Sequence, residues 1–60
     1  MSPRRTEVAG WIALGLSNKQ IARKMGISPA TVKQHAVVVF KQLGVSNRTQ
    51  AALMITKEGV

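Results

Sequence analysis

Residues Ser17–Leu43 read SNKQIARKMGISPATVKQHAVVVFKQL, and this stretch decides how the chain folds. Ser17 can cap a helix start, because its short side chain accepts from the free backbone N–H groups there. Ile21, Ala22 and Met25 then share one helical face, with Lys19, Arg23 and Lys24 elsewhere on the circumference. Gly26 is a natural stop. Ser28-Pro29 restarts a helix, serine as the cap and proline in the first turn, where its missing N–H costs nothing. Val32, Ala36, Val39 and Leu43 follow at steps of four, three and four residues, which is a helical core stripe ending before Gly44. The turn between the two, Met25-Gly26-Ile27-Ser28, holds one glycine and one apolar residue able to tuck inward. A short helix, a tight turn and a longer helix make a helix-turn-helix.

Working outward, Ser2-Pro3 repeats the serine-proline start. Val8, Ile12 and Trp11 form the inner stripe of this first unit, and Gly15 stops it. Gly10 costs about 1 kcal/mol in a helix relative to alanine, so close helix contact is expected there. On the far side, Asn47 with Gln50 three residues on is a capping-box pattern for a fourth unit. Ala51, Leu53, Met54 and Ile55 supply its apolar surface, and Gly59 is its expected stop. No strand signal, linker or low-complexity repeat interrupts the order. The expectation is an all-α single domain over 1–60, with four short helices of which three form the helix-turn-helix core.

Nine Lys and Arg face two acids, Glu7 and Glu58, for a net charge of +7 over 60 residues. Such a field favours a polyanion, nucleic acid before an acidic membrane. Trp11 and Phe40 are too few for a base-stacking platform, which points to duplex rather than single strands. There is no cysteine, and the lone His35 makes no zinc site, so neither disulfide, metal nor cofactor is expected. Two acids near the ends leave nothing for acid–base catalysis, so the chain does not read as an enzyme. Arg4-Arg5 before the uncharged run Val8–Leu16 imitates a twin-arginine signal. Glu7 stands directly before that run, however, and Ser17-Asn18-Lys19-Gln20 follows it in place of a cleavage site. The run is also about half the ~20 apolar residues that span a membrane.

With Val32, Ala36, Val39 and Leu43 inward, the opposite arc of the third helix holds Ala30, Lys33, Gln34, Val37 and Lys41. A helix in the major groove places its base contacts on such an arc. Lys33 can donate to guanine or to phosphate, Gln34 can pair with adenine and Val37 can pack on a thymine methyl. Backbone contacts are expected from Asn18 and Lys19 at the start of the second helix, Thr31 at the start of the third, Lys41, and Arg48 at the start of the fourth. His35, at the edge of the inward stripe, reads as a packing residue, with a phosphate contact as the alternative.

Taken together, Pro3-Arg4, Glu7-Val8, Gly15-Leu16-Ser17-Asn18-Lys19, Ile21-Ala22, Gly26-Ile27-Ser28, Thr31-Val32-Lys33, His35, Lys41-Gln42-Leu43-Gly44-Val45 and Asn47-Arg48-Thr49 resemble the LuxR/GerE (NarL/FixJ) helix-turn-helix domain over nearly the whole chain. The resemblance implies a cytoplasmic bacterial transcription factor, at the nucleoid, whose third helix reads DNA. By position it puts Lys33, Gln34 and Val37 on bases, and Asn18, Lys19 and Thr31 on phosphate. It also implies a homodimer through a C-terminal dimerisation helix, around Arg48, Ala51, Ala52 and Ile55. The chain departs from the family at Arg5, where glutamate is usual, at Gly10-Trp11, and at Ala36-Val37-Val38, which is generally polar or basic.

The leading expectation is sequence-specific duplex DNA binding that regulates transcription, by a recognition helix at about 29–43. The alternative is a protein-interaction module of the same fold, which binds another regulator or RNA polymerase through Val37, Val38 and the fourth helix. Helices this short and this firmly capped do not suit a membrane-surface peptide.

Overall fold

The computed structural model describes residues 2–58 and is all helical: α1 Pro3–Ala13, α2 Asn18–Met25, α3 Pro29–Leu43 and α4 Arg48–Glu58. The expected stop at Gly59 lies outside the described residues.

Each boundary has a local cause. Ser2, Ser17 and Ser28 are extended N-caps whose hydroxyls accept from the amides of Arg5, Gln20 and Thr31. At α2 the cap is reciprocal, because the Gln20 side chain accepts from the Ser17 amide at 2.9 Å. The expected box at α4 forms with a shift. Asn47 Oδ1 accepts from the Gln50 amide at 2.9 Å, but Gln50 Oε1 reaches Ser46 N at 3.2 Å instead of Asn47.

The first three helices end alike. Gly15, Gly26 and Gly44 are left-handed, with φ of 85°, 68° and 71°. In each case the amide just after the glycine donates to a carbonyl five residues back: Leu16 to Trp11, Ile27 to Ala22 and Val45 to Phe40, at 3.0–3.2 Å. Leu16, Ile27 and Val45 are themselves half-buried against the core. Each helix end is thereby tied to the body by one apolar residue.

Val8, Ala9, Ile12, Ile21, Ala22, Val32, Ala36, Val39 and Ala51 are the buried residues, all aliphatic. Trp11, Met25, Phe40, Leu43 and Ile55 close the rim. α1 packs chiefly on α4 and α3, and α2 on α3. The fourth helix is therefore more than an appendage to a three-helix core: Ala51 is fully buried and α4 is a principal neighbour of α1. Gly10 does not serve close helix contact, since a Cβ built there meets nothing within 4 Å. Trp11 sits at the rim of its stripe, where its indole donates to Glu7 Oε2 at 3.5 Å and Lys24 Nζ lies 6.0 Å from the ring centroid. The contact is at the outer limit of a cation–π interaction. Among the described residues no helix is long and apolar enough to cross a membrane.

Candidate nucleic-acid interface

α3 turns its buried stripe, Val32, Ala36 and Val39, into the core. At about 100° per residue this fixes what faces outward. Lys33, Gln34, Val37 and Lys41 are all exposed and share one arc. Val37 is 43% exposed, one of three large apolar side chains so placed among the described residues, with Leu14 and Leu53. His35 is half-buried at the stripe edge. The arc offers an ammonium at each end, an amide that both donates and accepts, and an apolar patch between them.

Thr31 lies at the start of this helix. Its hydroxyl is 2.9 Å from that of Ser28, and Ser28 Oγ also accepts the Thr31 amide at 3.1 Å. Two hydroxyls thus share one proton position beside the arc.

The start of α2 is arranged differently from the sequence expectation. Lys19 is exposed and Asn18 half-buried. Arg48 does not project toward solvent from α4. Its Nη1 donates to Asn18 Oδ1 at 2.9 Å and its Nη2 to the Leu16 carbonyl at 2.7 Å. Burial holds its pKa below the ordinary guanidinium value, yet arginine remains a cation throughout the physiological range. Guanidinium has only donors, so the Asn18 atom facing it is the oxygen, and the amide nitrogen points the other way. Sequence reasoning had no means to find this bond, because its partners are 30 and 32 residues apart.

The expected dimer patch lies partly against the core of the single chain. Arg48, Ala51, Ala52 and Ile55 lie within about 100° of one another on α4, and that arc faces the body of the domain. Ala51 is fully buried, Ala52 and Ile55 are half-buried against the core, and the Arg48 guanidinium is engaged. The exposed arc of α4 carries Thr49, Leu53 and Thr56, with Leu53 69% exposed.

None of the four helices has an acidic residue in its first turn. Acids there usually complement the positive end of the helix dipole. Among the described residues, no three of His, Cys, Asp or Glu come together. One surface groove of about 550 Å³ is lined by Leu16, Gln20, Arg23 and Lys24, and another of about 280 Å³ by Thr6, Glu7, Gly10, Trp11 and Leu14.

Known proteins resemble this chain in sequence and in fold. The chain is 40% identical over its full length to the transcriptional regulatory protein LnrK of Bacillus subtilis, and covers 27% of that protein. It is 35% identical, again over its full length, to the nitrate/nitrite response regulator protein NarL of Escherichia coli, covering 28% of it. The crystal structure of the response regulator ChrA, of a heme-sensing two-component system, superposes with a TM-score of 0.86 at 44% identity, over 95% of this chain and 28% of that one. The chain thus spans little more than a quarter of the length of these relatives. Residues 1–55 match the family described as bacterial regulatory proteins, luxR family. With four helices in this order, Gly26 at the turn between α2 and α3, and that match over nearly its whole length, the chain belongs to the luxR family of bacterial regulatory proteins.

Proposed function

We propose that this chain binds duplex DNA in a sequence-specific manner and regulates bacterial transcription from the cytoplasm, with α3 in the major groove. The observation that carries the reading is the exposed arc of α3, opposite a fully buried stripe on a domain of charge +7. The major groove admits one helix, and Lys33, Gln34 and Val37 have the chemistry to read guanine, adenine and the thymine methyl. Lys41, Lys19, Asn18 and Thr31 flank them and suit the phosphate backbone. The family relatives named as transcriptional regulators support the same reading.

Dimerisation is the finer part of the proposal. A second copy of the chain would meet the exposed arc of α4, with Leu53 as its apolar contact. Two copies would then sit on half-sites roughly 34 Å apart, one turn of DNA.

Selection from a random pool of duplex DNA at moderate salt tests both parts. Enrichment of a two-fold symmetric motif is the expected result. Retention without enrichment would mean backbone binding only. No retention at any salt would sink the DNA reading and favour a protein-interaction module, for which the exposed Val37 is the specific support. RNA polymerase or another regulator would then be the partner to test.

A further inference from the structure

Arg48 has an unusual position for a cation. It is the first residue of α4, yet its guanidinium lies half-buried at the start of α2. A cation beside a helix N-terminus opposes the helix dipole, and burial opposes its charge further. Something must offset both costs. The two bonds it makes, to Asn18 Oδ1 at 2.9 Å and to the Leu16 carbonyl at 2.7 Å, do so. Bonds to an ionised donor are roughly twice as strong as neutral ones.

These bonds act on one small region. Leu16 is the residue that ties the end of α1 to the core, through its amide to the Trp11 carbonyl. Its own carbonyl belongs to the loop before α2, and Arg48 satisfies it. Ser17 already takes the Gln20 amide, and the Ser17 carbonyl takes the Ile21 amide. That leaves the Asn18 and Lys19 amides as the donors at the start of α2 without an intrahelical acceptor. Arg48 holds the Asn18 carboxamide with its oxygen inward, so its nitrogen adds two donors on the outer side.

We propose that Arg48 is a positioning residue for DNA binding. It clamps the α1–α2 loop and orients Asn18, so that the start of α2 meets a phosphate in one fixed arrangement. The idea rests on the DNA-binding reading above. It replaces a direct phosphate contact or a dimer contact as the role of Arg48. Lysine cannot do the same work, because a single ammonium lacks the planar fork that spans two acceptors.

The test uses the whole chain and a fluorescent mixed-sequence duplex, with anisotropy read at fixed salt. The temperature is one at which circular dichroism shows every variant folded. The variants are Arg48→Lys, Asn18→Ala and the two combined. None changes the charge enough to matter by itself, since Arg48→Lys keeps +7 and Asn18 is neutral. The expected result is a loss of about fivefold for each single variant, at the lower end of ordinary coupling between sites. The double variant should lose less than the product of the two single losses, because Asn18→Ala removes one of the two Arg48 bonds and leaves the one to the Leu16 carbonyl. Melting temperatures are taken alongside. Lower melting with unchanged affinity of the folded protein would make Arg48 structural only and overturn the proposal. Losses that multiply, or an Arg48→Lys variant that binds like the parent, would overturn it too. Should Arg48→Lys fail to fold, Asn18→Ala alone decides by the same affinity criterion. A parent that does not bind the duplex at all would remove the DNA reading itself, and this proposal with it.

Discussion

Gly10 and Gly26 carry opposite costs, and their alanine variants should move stability in opposite directions. Gly10 lies mid-helix with open space where a Cβ would be. Gly10→Ala should stabilise the fold by about 1 kcal/mol. Gly26 has φ +68°, a conformation that costs an ordinary L-residue roughly 1–2 kcal/mol, so Gly26→Ala should destabilise by that amount. In a domain of this size each 1 kcal/mol shifts the melting temperature by about 4–8 °C. Thermal melts followed by circular dichroism would show a rise for the first and a fall for the second. On the exposed arc of α3 proposed to read bases, Lys33→Ala with Gln34→Ala should reduce preference for the selected motif more than affinity for random duplex, measured by competition binding. Equal losses on both would remove these residues from base reading. Both side chains were legible in the sequence because periodicity alone fixes which way they point. Arg48 was not: nothing local marks a side chain whose acceptors lie some 30 residues back in the chain.

At the scale of elements, helix boundaries were readable because their causes are local. Serine caps, prolines in the first turn and glycine stops act within a few residues. A more specific regularity runs through these boundaries. Gly15-Leu16-Ser17, Gly26-Ile27-Ser28 and Gly44-Val45-Ser46 are one three-residue device used three times: stop, anchor, restart. Its spacings of 11 and 18 residues are unequal, so no period reveals it. In the last copy one extra residue, Asn47, takes over the capping, and Ser46 accordingly pairs with Gln50. Ser17→Ala should cost about 1 kcal/mol, as cap losses usually do, and removes one half of the reciprocal pair with Gln20; urea denaturation would measure it. α4 was the element hardest to orient. Its apolar residues surround the helix, so the sequence could not say that Ala51 faces inward and Leu53 outward. Leu53→Lys should change the stability by no more than ordinary surface substitutions do, about ±0.5 kcal/mol. It should nonetheless abolish the two-copy complex on DNA in a gel-shift assay. A surviving two-copy complex would move the dimer contact off this face of α4.

For the whole molecule, the aliphatic core leaves little stability in reserve. Ile12 is 1% exposed at the centre of the α1 packing. Truncation of such a residue costs about 2–5 kcal/mol, against the roughly 3–5 kcal/mol a core this small supplies. Ile12→Ala should therefore leave a large unfolded fraction at 25 °C, visible as lost helical circular dichroism. Association with DNA should weaken steeply with salt, by about 0.9 log units per phosphate contact for each tenfold rise in salt concentration. The body measures 27 × 19 × 19 Å, and base pairs are stacked about 3.4 Å apart. Its longest dimension therefore covers only about eight of them. A bacterial chromosome offers on the order of a million or more competing positions. With four choices at each base pair, about ten fully specified pairs are needed to single out one address. A body of this length, even if it read every pair beneath it, would name a neighbourhood and not a house, and the remaining digits have to be supplied by whatever stands beside it on the DNA.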